Sequence, residues 1–164
     1  MLGSAAQTTF SAAHQPEYEH TRWAPICWII LLPPLAVLLI AAILAGGRVV
    51  VPLFFVGVAL TAVAFSFRSL RVVDDGDALA IRFGPIPLFR KRIPYAEIQA
   101  AERDRSSVVD GWGIHWVPGR GWTYNLWGFD CVRLTLTGGR TIRVGTDDPD
   151  GLERFLQQKS AAPQ

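Results

Sequence analysis

Two uncharged apolar stretches dominate the hydropathy pattern of this chain. No Asp, Glu, Lys or Arg occurs at residues 23–47 or 49–67, and Arg22, Arg48 and Arg68 bracket the two runs. A charge at the centre of a bilayer is costly, and crossing its hydrocarbon takes about 20 apolar residues. The pattern therefore predicts a two-helix transmembrane hairpin over residues 22–68, with spans at about 23–46 and 49–67. Pro33 and Pro34 fall mid-run and predict a kink, because proline lacks an amide proton and clashes with the preceding turn. Gly57, Thr61 and Ala64 share one helical face, and Ala41 and Ala45 are spaced alike in the first run, as close helix packing requires. Cys27 is the one ionisable residue in either run, which disfavours a transport pathway or proton relay. Arg22, Arg68 and Arg71 at the outer ends outnumber Arg48 at the turn. Cationic residues prefer the cytoplasm, so the expected location is the inner or plasma membrane, multi-pass, with both termini cytoplasmic. A cleaved signal peptide is the competing reading of the first run. The immediate second run and Glu17 and Glu19 in the polar lead argue against it.

From Arg68 the period changes to alternation. Residues 70–73 read as a short strand, followed by an Asp74-Asp75-Gly76-Asp77 turn. Leu79, Ile81 and Phe83 alternate with Ala80 and Arg82, the pattern of a half-buried strand. A break at 84–87 precedes a further strand over 88–93, a single helical turn at 94–98 and a strand at 99–105. Val132, Leu134 and Leu136, then Ile142 and Val144, form two strands about a tight Gly138-Gly139 turn. Asp148 is placed to cap a last helix whose first residue is Pro149 and whose apolar face is Leu152, Phe155 and Leu156. The organisation expected is a disordered tail at 1–21, the hairpin at 22–68, a β domain at 69–160 and a tail at 161–164.

Charge refines this picture. Residues 68–164 hold 14 Lys and Arg against 12 Asp and Glu, a net of +2, whereas residues 1–67 are neutral overall. A dedicated nucleic-acid binder would concentrate far more positive charge, so no nucleic-acid partner is expected. Cys27 and Cys131 lie too far apart in the pattern to pair, so there is no disulfide framework.

Several segments in order carry a resemblance. They are Ile93-Pro94-Tyr95-Ala96-Glu97-Ile98, Gly111-Trp112-Gly113-Ile114-His115-Trp116, Trp122-Thr123-Tyr124-Asn125, and Val132-Arg133-Leu134-Thr135-Leu136, with the Gly138-Gly139 hairpin and Asp148-Pro149 helix start behind them. Over about residues 68–160 the chain resembles the bacterial pleckstrin-homology-like domains that follow paired transmembrane helices. The resemblance implies a barrel or sandwich of about seven short strands capped by a C-terminal helix, and a binding or scaffolding role. Phosphoinositide-binding members of the wider superfamily carry basic residues near the first hairpin, where this chain has the acidic 74–77 turn.

The function expected is therefore an integral membrane protein displaying a cytoplasmic domain for protein or lipid binding. The alternatives are an accessory subunit of a larger membrane complex and, remotely, a hydrolase built around His115 with Asp110, Asp130 and Cys131. Its partners would be the lipid bilayer and a membrane protein or a second copy of the chain. No paired metal ligands, Walker loop or G-x-S-x-G motif occurs, so no metal, cofactor or catalytic residue is assigned and no enzyme activity is expected. The candidate contact residues are the basic run Arg90, Lys91, Arg92 and the rings Trp112, Trp116, Trp122 and Trp127. A basic run beside anionic lipid contributes about 1 kcal/mol per charge. The tryptophans lie among glycines and prolines in a long inter-strand connection over 111–128, and they read either as core rings or as a contact surface.

Overall fold

The computed structural model describes residues 15–44, 47–107 and 112–161. The chain enters through β1 (Glu19–Trp23) and leaves into two helices, α1 (Ile26–Leu44) and α2 (Gly47–Ser66). It then returns as β2 (Ser69–Asp74), which pairs antiparallel with β1, Trp23 opposite Ser69 and Glu19 opposite Val73. The helical pair is thus an excursion between two neighbouring strands. Its neck is closed by the Ala24 amide donating to the Arg68 carbonyl at 3.1 Å, with the Arg68 guanidinium over the Trp23 and Trp28 rings. Residues 19–21, expected in a disordered tail, and 22–23, expected in the hairpin, are one edge of a sheet. Residues 1–14 and 162–164 of the expected tails, and Ala45 and Gly46 of the expected turn, lie outside the described residues.

The expectation of transmembrane spans is corrected. Among the described residues no helix is long and apolar enough to cross a membrane. Part of the reason is length. The first uncharged run counted 25 residues from Trp23, but Trp23 belongs to β1 and the helix starts at Ile26. The 19 residues of α1 rise roughly 28 Å at about 1.5 Å each, against about 30 Å of hydrocarbon. In α2, Gly47 and Arg48 take up the first turn and Pro52 follows. The multi-pass location, the cytoplasmic termini, the display of a domain from a membrane and the accessory membrane subunit all depended on those spans and are withdrawn with them. The two helices pack on each other and turn much of their apolar surface outward, Leu32, Ile43, Phe54 and Phe55 among it.

The remainder is two sheets and one helix. The first sheet has the order β1-β2-β3-β4, with β3 (Ala78–Gly84) and β4 (Arg90–Pro94) continuing antiparallel from β2. A 3₁₀ turn at Tyr95–Glu97 leads to β5 (Ile98–Arg105) in the second sheet. That sheet has the order β5-β8-β9-β7-β6, built from β6 (Gly113–Val117), β7 (Gly121–Asn125), β8 (Asp130–Leu136) and β9 (Thr141–Gly145). All pairings are antiparallel except β7 with β9. The expected closed barrel of about seven strands is therefore corrected: among the described residues nine strands form two separate sheets, packed as a sandwich, that do not close. The 111–128 connection is likewise corrected. It holds a regular hairpin, because Pro118 and two left-handed glycines, Gly119 and Gly121, turn the chain between β6 and β7.

Apolar alternation does the packing. Leu79, Ile81 and Phe83 of β3 meet Val132, Leu134, Ile142 and Val144 of the second sheet in one buried cluster. The last helix, α3 (Pro149–Ala161), closes one side of it with Leu152, Phe155 and Leu156. Asp148 caps that helix by accepting the Gly151 amide at 3.0 Å. One buried carboxylate ties the elements together. Asp74, at the end of β2, accepts from the Tyr95 hydroxyl at 2.8 Å and lies 3.6 Å from the Lys159 ammonium of α3. Burial pushes the Asp74 carboxyl upward. The Tyr95 hydroxyl, the Glu17 and Gly76 amides and Lys159 outweigh that and hold it below the usual aspartate value. Burial beside that carboxylate raises Tyr95 well above an ordinary phenol.

Candidate functional site

The second sheet reaches further than the first. Its inner face continues past β9 through β7 to β6, whereas the first sheet stops at β4. Trp122 pairs in register with core residue Ile142, so it stands on the inner face, and Trp116 lies opposite Trp122 across the hairpin. No strand of the first sheet covers this overhang. Trp116 is 58% exposed and Trp122 is 47% exposed. The gap between the overhang and the edge of β4 is a cleft of about 690 Å³.

One wall of the cleft is β4, with Lys91, Arg92, Ile93 and Pro94; Glu97 follows in the 3₁₀ turn. The other wall is aromatic: Trp116, Trp122 and Tyr124, with Trp122 and Tyr124 ring centroids 6.4 Å apart. Arg140, just before β9, and Thr141, its first residue, border one end. The wall is held rigidly. Gly121 has φ +82, and a Cβ there would lie 2.1 Å from the Thr141 carbonyl oxygen, so only glycine lets β7 approach β9 this closely. The Thr141 hydroxyl donates to the Arg120 carbonyl at 2.9 Å, and the Arg143 guanidinium donates to the same oxygen.

The charges of the cleft are unequally committed. Arg92 is held by Asp75 at 3.1 Å and by Asp77, and Arg140 reaches Glu97 at 3.3 Å. Among the described residues no ion pair involves Arg90 or Lys91, the remaining cations of β4. The open side of the sandwich therefore offers an uncommitted cationic edge facing exposed tryptophans.

The residues singled out in the sequence separate here. Lys91, Arg92, Trp116 and Trp122 line one cleft, with Arg90 at the start of the same strand. Trp112 and Trp127 do not line it; they stack on one another with centroids 4.2 Å apart, and Trp127 packs on the core. Arg140 and Gly121 were missed because only the tertiary fold brings them to β4, and Glu97, in the turn after β4, because only the fold brings Arg140 to it. The His115 cluster is not assembled. β8, which carries Asp130 and Cys131, lies three strands from β6, about 14 Å at the usual strand spacing. His115 Nε2 is buried without a hydrogen-bond partner, and Asp110 lies outside the described residues. No group of three metal-ligating side chains occurs among the described residues.

No family model matches the chain, and no curated protein matches it. The resemblance to pleckstrin-homology-like membrane proteins is corrected accordingly: no family model matches, and among the described residues there is neither a helix long and apolar enough to span nor a closed barrel behind it. Of the motifs that carried it, the Gly-Gly hairpin and the Asp-Pro helix start follow from turn and cap chemistry that any β domain can use.

Proposed function

We propose that this chain is a binding module whose site is the cleft between β4 and the β6–β7 hairpin, and that its ligand is anionic with a flat apolar portion. The observation that carries this is the juxtaposition of the uncommitted Lys91 with two half-exposed tryptophans across a cleft of about 690 Å³. A volume of this order suits a small ligand or a short segment of chain. Exposed indole is costly in water unless something covers it, and a flat group against it recovers apolar burial at about 25 cal/mol per Å². The ammonium supplies direction and sign, and its attraction strengthens as the ligand displaces water. The module acts by holding its ligand and not by transforming it.

Calorimetric titration of the full chain with 2-naphthoate tests this. A mild detergent keeps the exposed apolar faces of α1 and α2 dispersed. Saturable binding is expected, weakened about three- to tenfold by Lys91→Glu, an electrostatic loss of about 1 kcal/mol. Trp122→Ala should weaken it further, and Leu39→Ala on α1 should leave it unchanged. Binding that ignores Lys91 and Trp122 would refute the assignment.

A further inference from the structure

We infer that the occupant of this cleft is an extended, acidic polypeptide segment that joins β4 as one more antiparallel strand; this rests on the cleft being the binding site. Among the described residues β4 is the last strand of its sheet, so one of its two edges has no strand partner there. The hydrogen bonds to β3 fix which residues use that edge. The Phe83 amide donates to the Phe89 carbonyl at 2.9 Å, and the Tyr95 amide donates to the Asp77 carbonyl at 3.0 Å. In an antiparallel ladder the bonded positions recur every second residue, so Phe89, Lys91, Ile93 and Tyr95 turn their backbone groups toward β3. Arg90 and Arg92 turn theirs outward.

Two alternate residues with free amide and carbonyl groups offer four hydrogen bonds to an incoming strand, the usual device of strand addition. Pro94 has no amide proton and ends the run. The site therefore measures about five residues.

Side-chain alternation then specifies the segment. Ile93 is buried between the sheets, and Lys91 is two residues away, so both point toward the second sheet. The guest residue opposite Lys91 points the same way, over Trp116 and Trp122, where an aromatic side chain fits. The guest residues opposite Arg90 and Arg92 point to the other face. Arg92 already holds Asp75 and Asp77, whereas Arg90 has no ion pair among the described residues, so an acidic guest residue belongs opposite Arg90. A fifth strand so placed would cover the overhanging face of the second sheet, which is the part of the sandwich left open. The three consecutive cations that protect this edge from indiscriminate pairing also select the sign of what is admitted.

The probe is the blocked pentapeptide acetyl-Val-Glu-Tyr-Glu-Val-amide, added to the isotopically labelled full chain while the tryptophan indole N–H resonances are followed. Shifts at Trp116 and Trp122 are expected. Methylating the backbone nitrogens of both Glu residues removes the two donors that face Arg90 and Arg92 and should weaken binding at least tenfold. Methylating the Tyr nitrogen, which faces away, should change it less than threefold. Arg90→Glu should weaken the parent peptide about five- to tenfold, and a Lys-for-Glu peptide should bind far more weakly. If both methylated peptides bind alike, strand addition is wrong although the cleft remains a site. If 2-naphthoate shifts the Trp116 and Trp122 resonances and the peptide does not, the ligand is not a polypeptide. If neither probe moves them, the cleft itself is wrongly assigned.

Discussion

The helical pair and the β sandwich are both rich in apolar side chains, yet they treat them in opposite ways. In α1 and α2, Leu32 is 65% exposed and Ile43 is 72% exposed. In the sandwich, Leu79, Ile81, Phe83 and Leu134 are all 0% exposed. Two helices can cover only one stripe of each other. Two sheets with a helix across one side can enclose a face completely, because residues alternate in and out along every strand. Hydropathy alone ranks the first region as the core of the molecule. Packing gives that role to the second.

The contrast is sharpest in stability. Phe83→Ala, inside the sandwich, should cost about 3–5 kcal/mol through lost burial and the cavity left behind. Phe55→Ala on the outward face of α2, 65% exposed, should change stability by no more than about 0.5 kcal/mol. Denaturant unfolding of the full chain followed by sheet-sensitive circular dichroism checks both, and equal losses would dissolve the distinction.

Glycine substitutions give the next largest effect. Gly121→Ala sets a Cβ against the Thr141 backbone in a left-handed conformation, and about 2–4 kcal/mol should be lost. At Gly57 the Cβ would meet only the flexible end of Leu38, so Gly57→Ala in α2 should be much milder, offset in part by the better helix propensity of alanine.

Acid should separate the regions further. Asp74 and Asp104 are both held below the ordinary aspartate value of 3.8 in the folded chain. The unfolded chain therefore takes up protons first as pH falls. Stability present above that value is lost as pH drops through the lower folded values. Acid titration should unfold the sandwich below about pH 4, and Asp74→Asn should flatten that dependence while lowering stability at neutral pH. The helical pair holds no carboxylate and should contribute no slope.

Much of the sandwich is legible in the sequence, and its exceptions have physical causes. β3 and the β8–β9 hairpin follow from alternation and a Gly-Gly turn, and α3 from its Asp148 cap. β1 does not, because Glu19–Trp23 is polar and its partner lies beyond both helices. The β6–β7 hairpin is masked by its glycines, which serve a close approach and a turn more than a loop. The parallel pairing of β7 with β9 inserts that hairpin at the sheet edge, and local pattern holds no record of it. For the same reason the basic run and two of the four tryptophans were visible as chemistry, but not as two walls of one cleft.

The smallest stability effect should come at that cleft. Trp122 is 47% exposed, so Trp122→Ala should cost about 1 kcal/mol or less while weakening binding more than Lys91→Glu does. The most direct measurement is indole N–H mapping of the full chain as 2-naphthoate is added. The account predicts shifts at Trp116 and Trp122, small changes at Trp112 and Trp127, and in Lys91→Glu the same shifts only at about three- to tenfold higher 2-naphthoate. Shifts confined to Trp23 and Trp28, at the neck of the helical pair, would contradict it and move the site to the exposed apolar helices.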